Sequence, residues 1–386
     1  MSRKGGAMAR RSRIESSSLR PLLAVAVILA PALAAVAIVV SPAPGAGDEA
    51  ATAQAAARPR QGARARTLTI GWVGDVTPGS QYGLPGDGGR ALFAHVRTTL
   101  REPDIMLANL EGTLSVGGAS KCPAGGENCF AFQAPPANAR ALHDAGIDLV
   151  NLANNHSFDY GPAGQAQTLN ALTAGRIAFT GLQGDVRVLT RRGIRVGFVG
   201  FSTYRWTPSM DDPQAIHALI DQAKAIADVV VVLFHAGAEG SDRTAVPLGR
   251  EFAFGEDRGD SRVFAHRAID EGADLVLGSG PHVVRGLETY KGRLIAYSLG
   301  NFAGAGNFAS GGTLSVSGML SVRVDRRGRM HNGWWRGMTL DGSGAPRPDA
   351  GASRALVAQL SARDFGVAAP RVLTSGRILP VSGPSR

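Results

Sequence analysis

The chain has 386 residues, 44% hydrophobic, 19% charged and 6% aromatic, with 51 glycines, 21 prolines and two cysteines. That suffices for one core of about 250–300 residues with a remainder, and it excludes a chain disordered throughout, a collagen and a multi-span membrane protein. The formal charge of +10 is unevenly placed: residues 1–66 carry ten Lys/Arg against three Asp/Glu, leaving 31 basic and 28 acidic residues beyond them, too even a balance for a nucleic-acid partner.

In chain order, residues 1–20 form a basic terminus holding Arg3, Lys4, Arg10, Arg11, Arg13 and Arg20, and an uninterrupted apolar stretch follows at 21–40. Twenty helical residues span about 30 Å, a bilayer core. Pro31 does not forbid a membrane helix, and the basic flank stays cytoplasmic, which sends the rest across. An uncleaved single-pass anchor at the cell membrane is expected, with a cleaved signal peptide and a secreted product as the alternative. Residues 41–66, rich in Ala, Pro, Gly and Gln, read as a flexible linker. Cys122 and Cys129 have six residues between them, and in an oxidising extracytoplasmic compartment they are expected to pair as a disulfide.

The body, 67–340, alternates apolar strands with helix-period segments, the pattern of an α/β domain with helices covering its sheets. Strands are expected at 68–76, 105–110, 149–153, 196–201, 229–234, 275–278 and 294–299, and helices at 90–100, 136–145, 164–174, 213–227 and 262–271. A half-exposed strand is expected at 313–324. Residues 341–386 read as a C-terminal extension with a helical run near 354–362.

Nearly every expected strand runs out into polar residues: Gly74-Asp75, Asn109-Leu110-Glu111, Asn154-Asn155-His156 with Asp159-Tyr160-Gly161, His235 with Glu239, Pro281-His282, and Ser298-Leu299-Gly300-Asn301. Ligands of α/β sheets bind beyond the carboxyl ends of the strands, so these groups are expected to converge. Asp75, Asn109 and Asn301 also read as caps or turn residues. His95, His143, His217 and His266 fall within helices and are assigned to structure, and His331 receives no role. Carboxylate, carboxamide and imidazole without thiolate suit Mn, Fe, Zn or Mg, and one or two such ions would support hydrolysis with an imidazole moving the proton.

These strings, with Tyr297-Ser298-Leu299-Gly300-Asn301-Phe302, resemble the CapA family over residues 68–302. Those are capsule-synthesis proteins of the poly-γ-glutamate type within the calcineurin-like metallophosphatase superfamily. The resemblance implies a four-layer α/β/β/α sandwich of the metallophosphatase type, preceded here by one N-terminal transmembrane helix. It also implies an anionic polymer or its precursor as partner, together with other capsule-synthesis membrane proteins. Carried over residue by residue, Asp75 would ligate one metal, Glu111 would bridge, and Asn155 with His235 would hold a second ion. His282 would be a further ligand and His156 the proton donor, while Asn109, Asn154, Glu239 and Asn301 would shape the site.

Two departures bear on this. Thr77 stands where dinuclear phosphatases carry the His of Asp-x-His, and Gly278-Ser279-Gly280-Pro281-His282 has no His before the Pro-His. Losing two imidazoles weakens metal binding or leaves a single-ion site. Three readings stand: a metal-dependent enzyme of capsule or exopolymer synthesis, a non-catalytic module that binds and exports the polymer, and a standalone extracytoplasmic hydrolase of phosphoesters or amides. A basic groove at Arg187, Arg191, Arg192 and Arg195 competes with a solvated turn.

Overall fold

A computed structural model of the chain describes residues 67–80, 83–122, 129–308 and 311–381. The basic terminus, apolar stretch and linker expected at 1–66 lie outside these. No helix among the described residues is long and apolar enough to cross a membrane.

The first sheet is founded on four parallel strands side by side: β1 (Thr67–Thr77), β2 (Ile105–Leu110), β3 (Leu149–Asn151) and β4 (Ala178–Thr180). The chain then builds a second sheet from β5 (Arg187–Arg191), β6 (Ile194–Ser202), β7 (Val229–His235), β8 (Leu275–Ser279), β9 (Leu287–Tyr290) and β10 (Arg293–Ala296). Its order is β9-β10-β8-β7-β6-β5, parallel in the middle and antiparallel at both edges. Finally it returns to the first sheet: β11 (Asn301–Gly304) lies parallel to β1, and β12 (Val316–Asp325) and β13 (Met330–Leu340) extend it antiparallel.

Side-chain alternation puts the layers together. Along β7, Val229, Val231 and Leu233 point into one core, while Val230, Val232 and Phe234 point into another. A strand buried on both faces needs a continuous apolar run, which this segment has. The first of those cores is shared between the sheets: Ile70, Trp72, Ile105 and Leu107 meet Phe198, Val231, Leu233 and Leu277. Trp72 Nε1 also donates to the carbonyl of Gly278 at 3.2 Å, linking β1 to β8. Each fully buried aliphatic side chain contributes about 1.5–3 kcal/mol, so Leu233→Ala is disruptive.

The first sheet's outer face is covered by α1 (Arg97–Leu100), α2 (Ala139–Ala145) and α3 (Gly161–Ala174), and the second's by α4 (Pro213–Ile226) and α5 (Ser261–Glu271). Asp212 and Asp260 cap the last two, accepting backbone N–H groups of their first turns. The helix expected at 90–100 is broken into a 3-10 turn, Ala91–Phe93, and the single turn of α1. The backbone leaves helical geometry at Val96 (φ −122°), where the β-branched Thr98 and Thr99 give propagation little help. Residues 346–379 belong to the same fold. The short strands Pro346–Pro348 and Arg377–Leu379 pair with β13, Arg371–Val372 pairs with Arg377–Leu379, and α6 (Ala352–Phe365) puts Val357 and Leu360 into the shared core.

Candidate metal centre

Parallel strands that stop at one level bring their last residues into register. Asn301 lies opposite Asp75, Asp75 opposite Asn109, and Asn109 opposite Asn151. On the second sheet, Ser202 and Ser279 flank His235 in the same way. The rim is fully buried at Asp75, Asn109, Glu111 and His235, so each polar atom there needs a partner.

The carboxamides form a ladder. Asn109 Oδ1 accepts from Asn151 Nδ2 at 3.0 Å and Asn154 Nδ2 at 3.2 Å, which turns its own Nδ2 toward Asp75 Oδ1 (2.8 Å) and His235 Nδ1 (3.2 Å). Asn154 also holds the carbonyl of Leu110 and accepts from the His156 backbone N–H. The sequence reading missed Asn151, although a polar residue closing an apolar strand was the signal it used elsewhere.

Glu111 is fixed through its backbone: its N–H donates to Val76 and its carbonyl accepts from Thr77 Oγ1 at 3.0 Å. Thr77 thus braces the chain where an imidazole was absent. Neither side-chain oxygen of Glu111 has a hydrogen-bond partner, and Asp75 Oδ2 has none. Burial pushes the Glu111 carboxyl well above the usual range, against the pull of His282 and with the help of Asp75.

His282 enters from a strained turn, at φ +60° directly after Gly280-Pro281. A Cβ at Gly280 would meet backbone atoms of Ala236 at 2.8–2.9 Å, so no imidazole fits at that position. His282 Nδ1 lies 2.8 Å from Asn301 Oδ1 and 3.1 Å from Asp75 Oδ2, and Nε2 lies 3.6 Å from both Glu111 Oε1 and Glu239 Oε2. Burial alone would lower its pKa. Glu111, Glu239 and Asp75 outweigh that and raise it to about 10.

One ligand atom from each of Asp75, Glu111 and His282 lies within 4.8 Å of the others. Two carboxylates with orphaned oxygens and one imidazole suit a hard or borderline divalent cation. Asn155 Oδ1 is also buried without a partner. His235 lies nearby, with Nδ1 4.0 Å from Asp75 Oδ1 and Nε2 3.7 Å from Glu111 Oε1, but it is not one of the three. Burial, then the neighbouring Arg258, keeps His235 well below its ordinary pKa.

His156 Nδ1 lies 2.8 Å from Asp159 Oδ2, and Lys121 Nζ lies 2.7 Å from Asp159 Oδ1. Burial lowers the His156 pKa despite Asp159. Phe132 packs against its ring at 4.2 Å. A cavity of about 260 Å³ is lined by His156, Glu239, His282 and Asn301 together with Phe130, Phe132, Phe254 and Phe308. The Cys122–Cys129 disulfide is formed and immediately precedes the first two phenylalanines of this wall. A larger hollow of about 680 Å³, between α2 and α3, contains none of the strand-end residues.

Elsewhere, His143, His217 and His266 pair with Asp144, Glu271 and Glu288. The arginine cluster is a solvated turn: Arg187, Arg191, Arg192 and Arg195 pair with Asp185, Asp148, Asp104 and Asp228. Arg258 and Lys121 belong to the site and were missed, because both come from Gly-rich stretches that read as plain loop.

The family described as "Bacterial capsule synthesis protein PGA_cap" matches residues 69–305. The chain is 28% identical over 256 residues to the "PGA biosynthesis protein CapA" of Bacillus subtilis (strain 168), covering 61% of this chain and 63% of that one. It is 29% identical over 262 residues to the "Capsule biosynthesis protein CapA" of Bacillus anthracis, covering 61% and 59%. It thus spans less than two thirds of the length of either relative. Among solved structures it is similar to a 5'-nucleotidase precursor from Thermus thermophilus, with TM-score 0.40 and 17% identity over 77% of this chain and 59% of that one. That similarity is too slight to bear on substrate or chemistry.

Proposed function

The chain belongs to the bacterial capsule synthesis protein family, and from that premise we propose that it acts on a capsule or exopolymer of the poly-γ-glutamate type, or on its precursor, as a divalent-metal-dependent hydrolase or transferase of the metallophosphatase kind. The observation that carries the reading is the set of buried carboxylate oxygens at Asp75 and Glu111 left without hydrogen bonds beside His282. In the metal-free protein the only cation at these oxygens is His282, so acceptor capacity stays open there, and a divalent ion that displaces the His282 proton is what fills it.

Asp75, Glu111 and His282 would hold the ion, with Asn155 Oδ1 as a further oxygen. When bound, such an ion polarises a carbonyl or phosphoryl oxygen and lowers the pKa of water. The Asn301 oxygen holds the His282 Nδ1 proton, which leaves Nε2 as the ligating nitrogen. His156 is neutral at pH 7 by burial, and its Nδ1 is tied to Asp159. Its other nitrogen therefore takes a proton from the nucleophile before returning one to the leaving group. Lys121 steadies Asp159, and the phenylalanines offer apolar surface beside the reacting bond.

The location proposed is outside the cytoplasm, tethered by the apolar segment at 21–40 among other capsule-synthesis membrane proteins. The formed disulfide supports an oxidising compartment. The test is polymer production in cells carrying Asp75→Ala and His156→Ala, alongside cleavage of γ-glutamyl and phosphoester substrates by the Mn-loaded full chain. Loss of both supports the reading. Polymer retained in the double variant contradicts catalysis and favours the binding and export module, whereas cleavage without any effect on polymer favours the standalone hydrolase.

A further inference from the structure

One buried guanidinium stands in the site where no motif placed it. Arg258 is 1% exposed, and its backbone is pinned on both sides, donating to Glu251 and accepting from Gly237. Its Nε donates to the Gly237 carbonyl at 3.2 Å, and one terminal nitrogen donates to Tyr204 Oη at 2.8 Å. The other lies 2.7 Å from Glu239 Oε1 and 3.5 Å from His235 Nε2. Every nitrogen is engaged, so this is a fixed charge rather than a hook for substrate. Arg285 makes the contrast: equally buried, it is bidentate to Glu251 and touches none of the strand-end ligands.

We infer that Arg258 is the site's permanent second cation, standing in for a second metal ion, so that the centre holds one divalent ion at Asp75, Glu111 and His282 and none beside His235. The inference rests on the metal reading above and adds its stoichiometry. A ligating imidazole needs an open lone pair; neutral His235 has one, and whichever nitrogen carries it faces a donor, either Asn109 Nδ2 at 3.2 Å, whose orientation is locked by the carboxamide ladder, or Arg258 at 3.5 Å. The guanidinium cannot lose its charge. It already neutralises Glu239 and repels a dication from that side. The two missing imidazoles, at Thr77 and in the stretch between Gly278 and Pro281, then have a counterpart: the second ion's charge is supplied by the chain.

The test is Mn²⁺ titration of the metal-depleted full chain, counting ions by elemental analysis and reading spin coupling by electron paramagnetic resonance. One uncoupled ion per chain, lost in His282→Ala and kept in His235→Gln, is expected. Arg258→Met should bind a second ion or tighten Mn²⁺ about tenfold, the scale on which ligand charge tunes divalent sites, and Arg258→Lys should restore a single ion. Two spin-coupled ions in the wild type would overturn this inference and leave the metal reading standing, while no ion at all would overturn both. Should Arg258→Met not fold by circular dichroism, the wild-type count and Arg258→Lys still decide.

Discussion

The two sheets finish differently at their shared rim. The first ends in carboxylates and carboxamides, and three oxygens of Asp75 and Glu111 are buried without a hydrogen bond. The second ends at His235, whose nitrogens face Asn109, Ser279 and Arg258, with Arg258 in turn held by Glu239 and Tyr204. Asp75, Glu111 and His235 are equally buried, so the difference between them lies in partnering. A fully partnered polar group is part of the scaffold, whereas an unpartnered one marks where something else is to bind.

The sharpest way to break that contrast is to remove a group from the partnered side. Arg258→Met leaves Glu239 with only the more distant His282 and should cost the metal-free protein about 1–3 kcal/mol in denaturant unfolding. An unchanged midpoint would show that the pair is not structural. The opposite half should respond in metal affinity instead. Asn301→Ala frees the Nδ1 proton of His282 and should weaken Mn²⁺ about 10–100-fold by calorimetry, with the fold intact by circular dichroism.

Proton competition gives a third handle. Free His282 is held up at about 10, above its unfolded value of about 6.5. In the metal-free protein its stabilisation is therefore complete below about pH 6.5 and is lost as pH rises through about 10. A cation must displace that proton, so Mn²⁺ affinity should rise about tenfold per pH unit between about 7 and 9, and a flat profile would remove His282 from the ligand set. The smallest effect expected is at Glu111. Its raised carboxyl makes the metal-free protein lose stability as pH climbs above about 4.3. Glu111→Gln should cancel that loss, raising stability at pH 7 by about 1 kcal/mol in thermal unfolding while abolishing metal binding. Lower stability in this variant would mean that the carboxylate is paired after all.

Much of this arrangement was legible in the chain because it depends on local pattern. The apolar runs of β2 and β7 mark strands buried on both faces, and the polar residue closing each strand falls at the rim because parallel strands end in register. Asp75, Asn109, Glu111, His235 and His282 were all found that way. What escaped depends on distant partners. Arg258 becomes a site residue only through Glu239, Tyr204 and His235, none adjacent to it in sequence. Phe130 and Phe254 come from separate loops to one cavity. The role of Gly280 was hidden for the same reason, since the backbone of Ala236 that excludes a side chain there lies 44 residues away. The short strands after residue 340 escaped because two or three residues carry no periodicity; pairing with β13 and with each other makes them strands.

The most direct test of the single-ion centre is anomalous diffraction from crystals of the Mn-loaded protein. One anomalous peak among Asp75, Glu111 and His282, with the Arg258 guanidinium still on Glu239, is the result predicted. A second peak beside His235, or no peak at the rim, would contradict it.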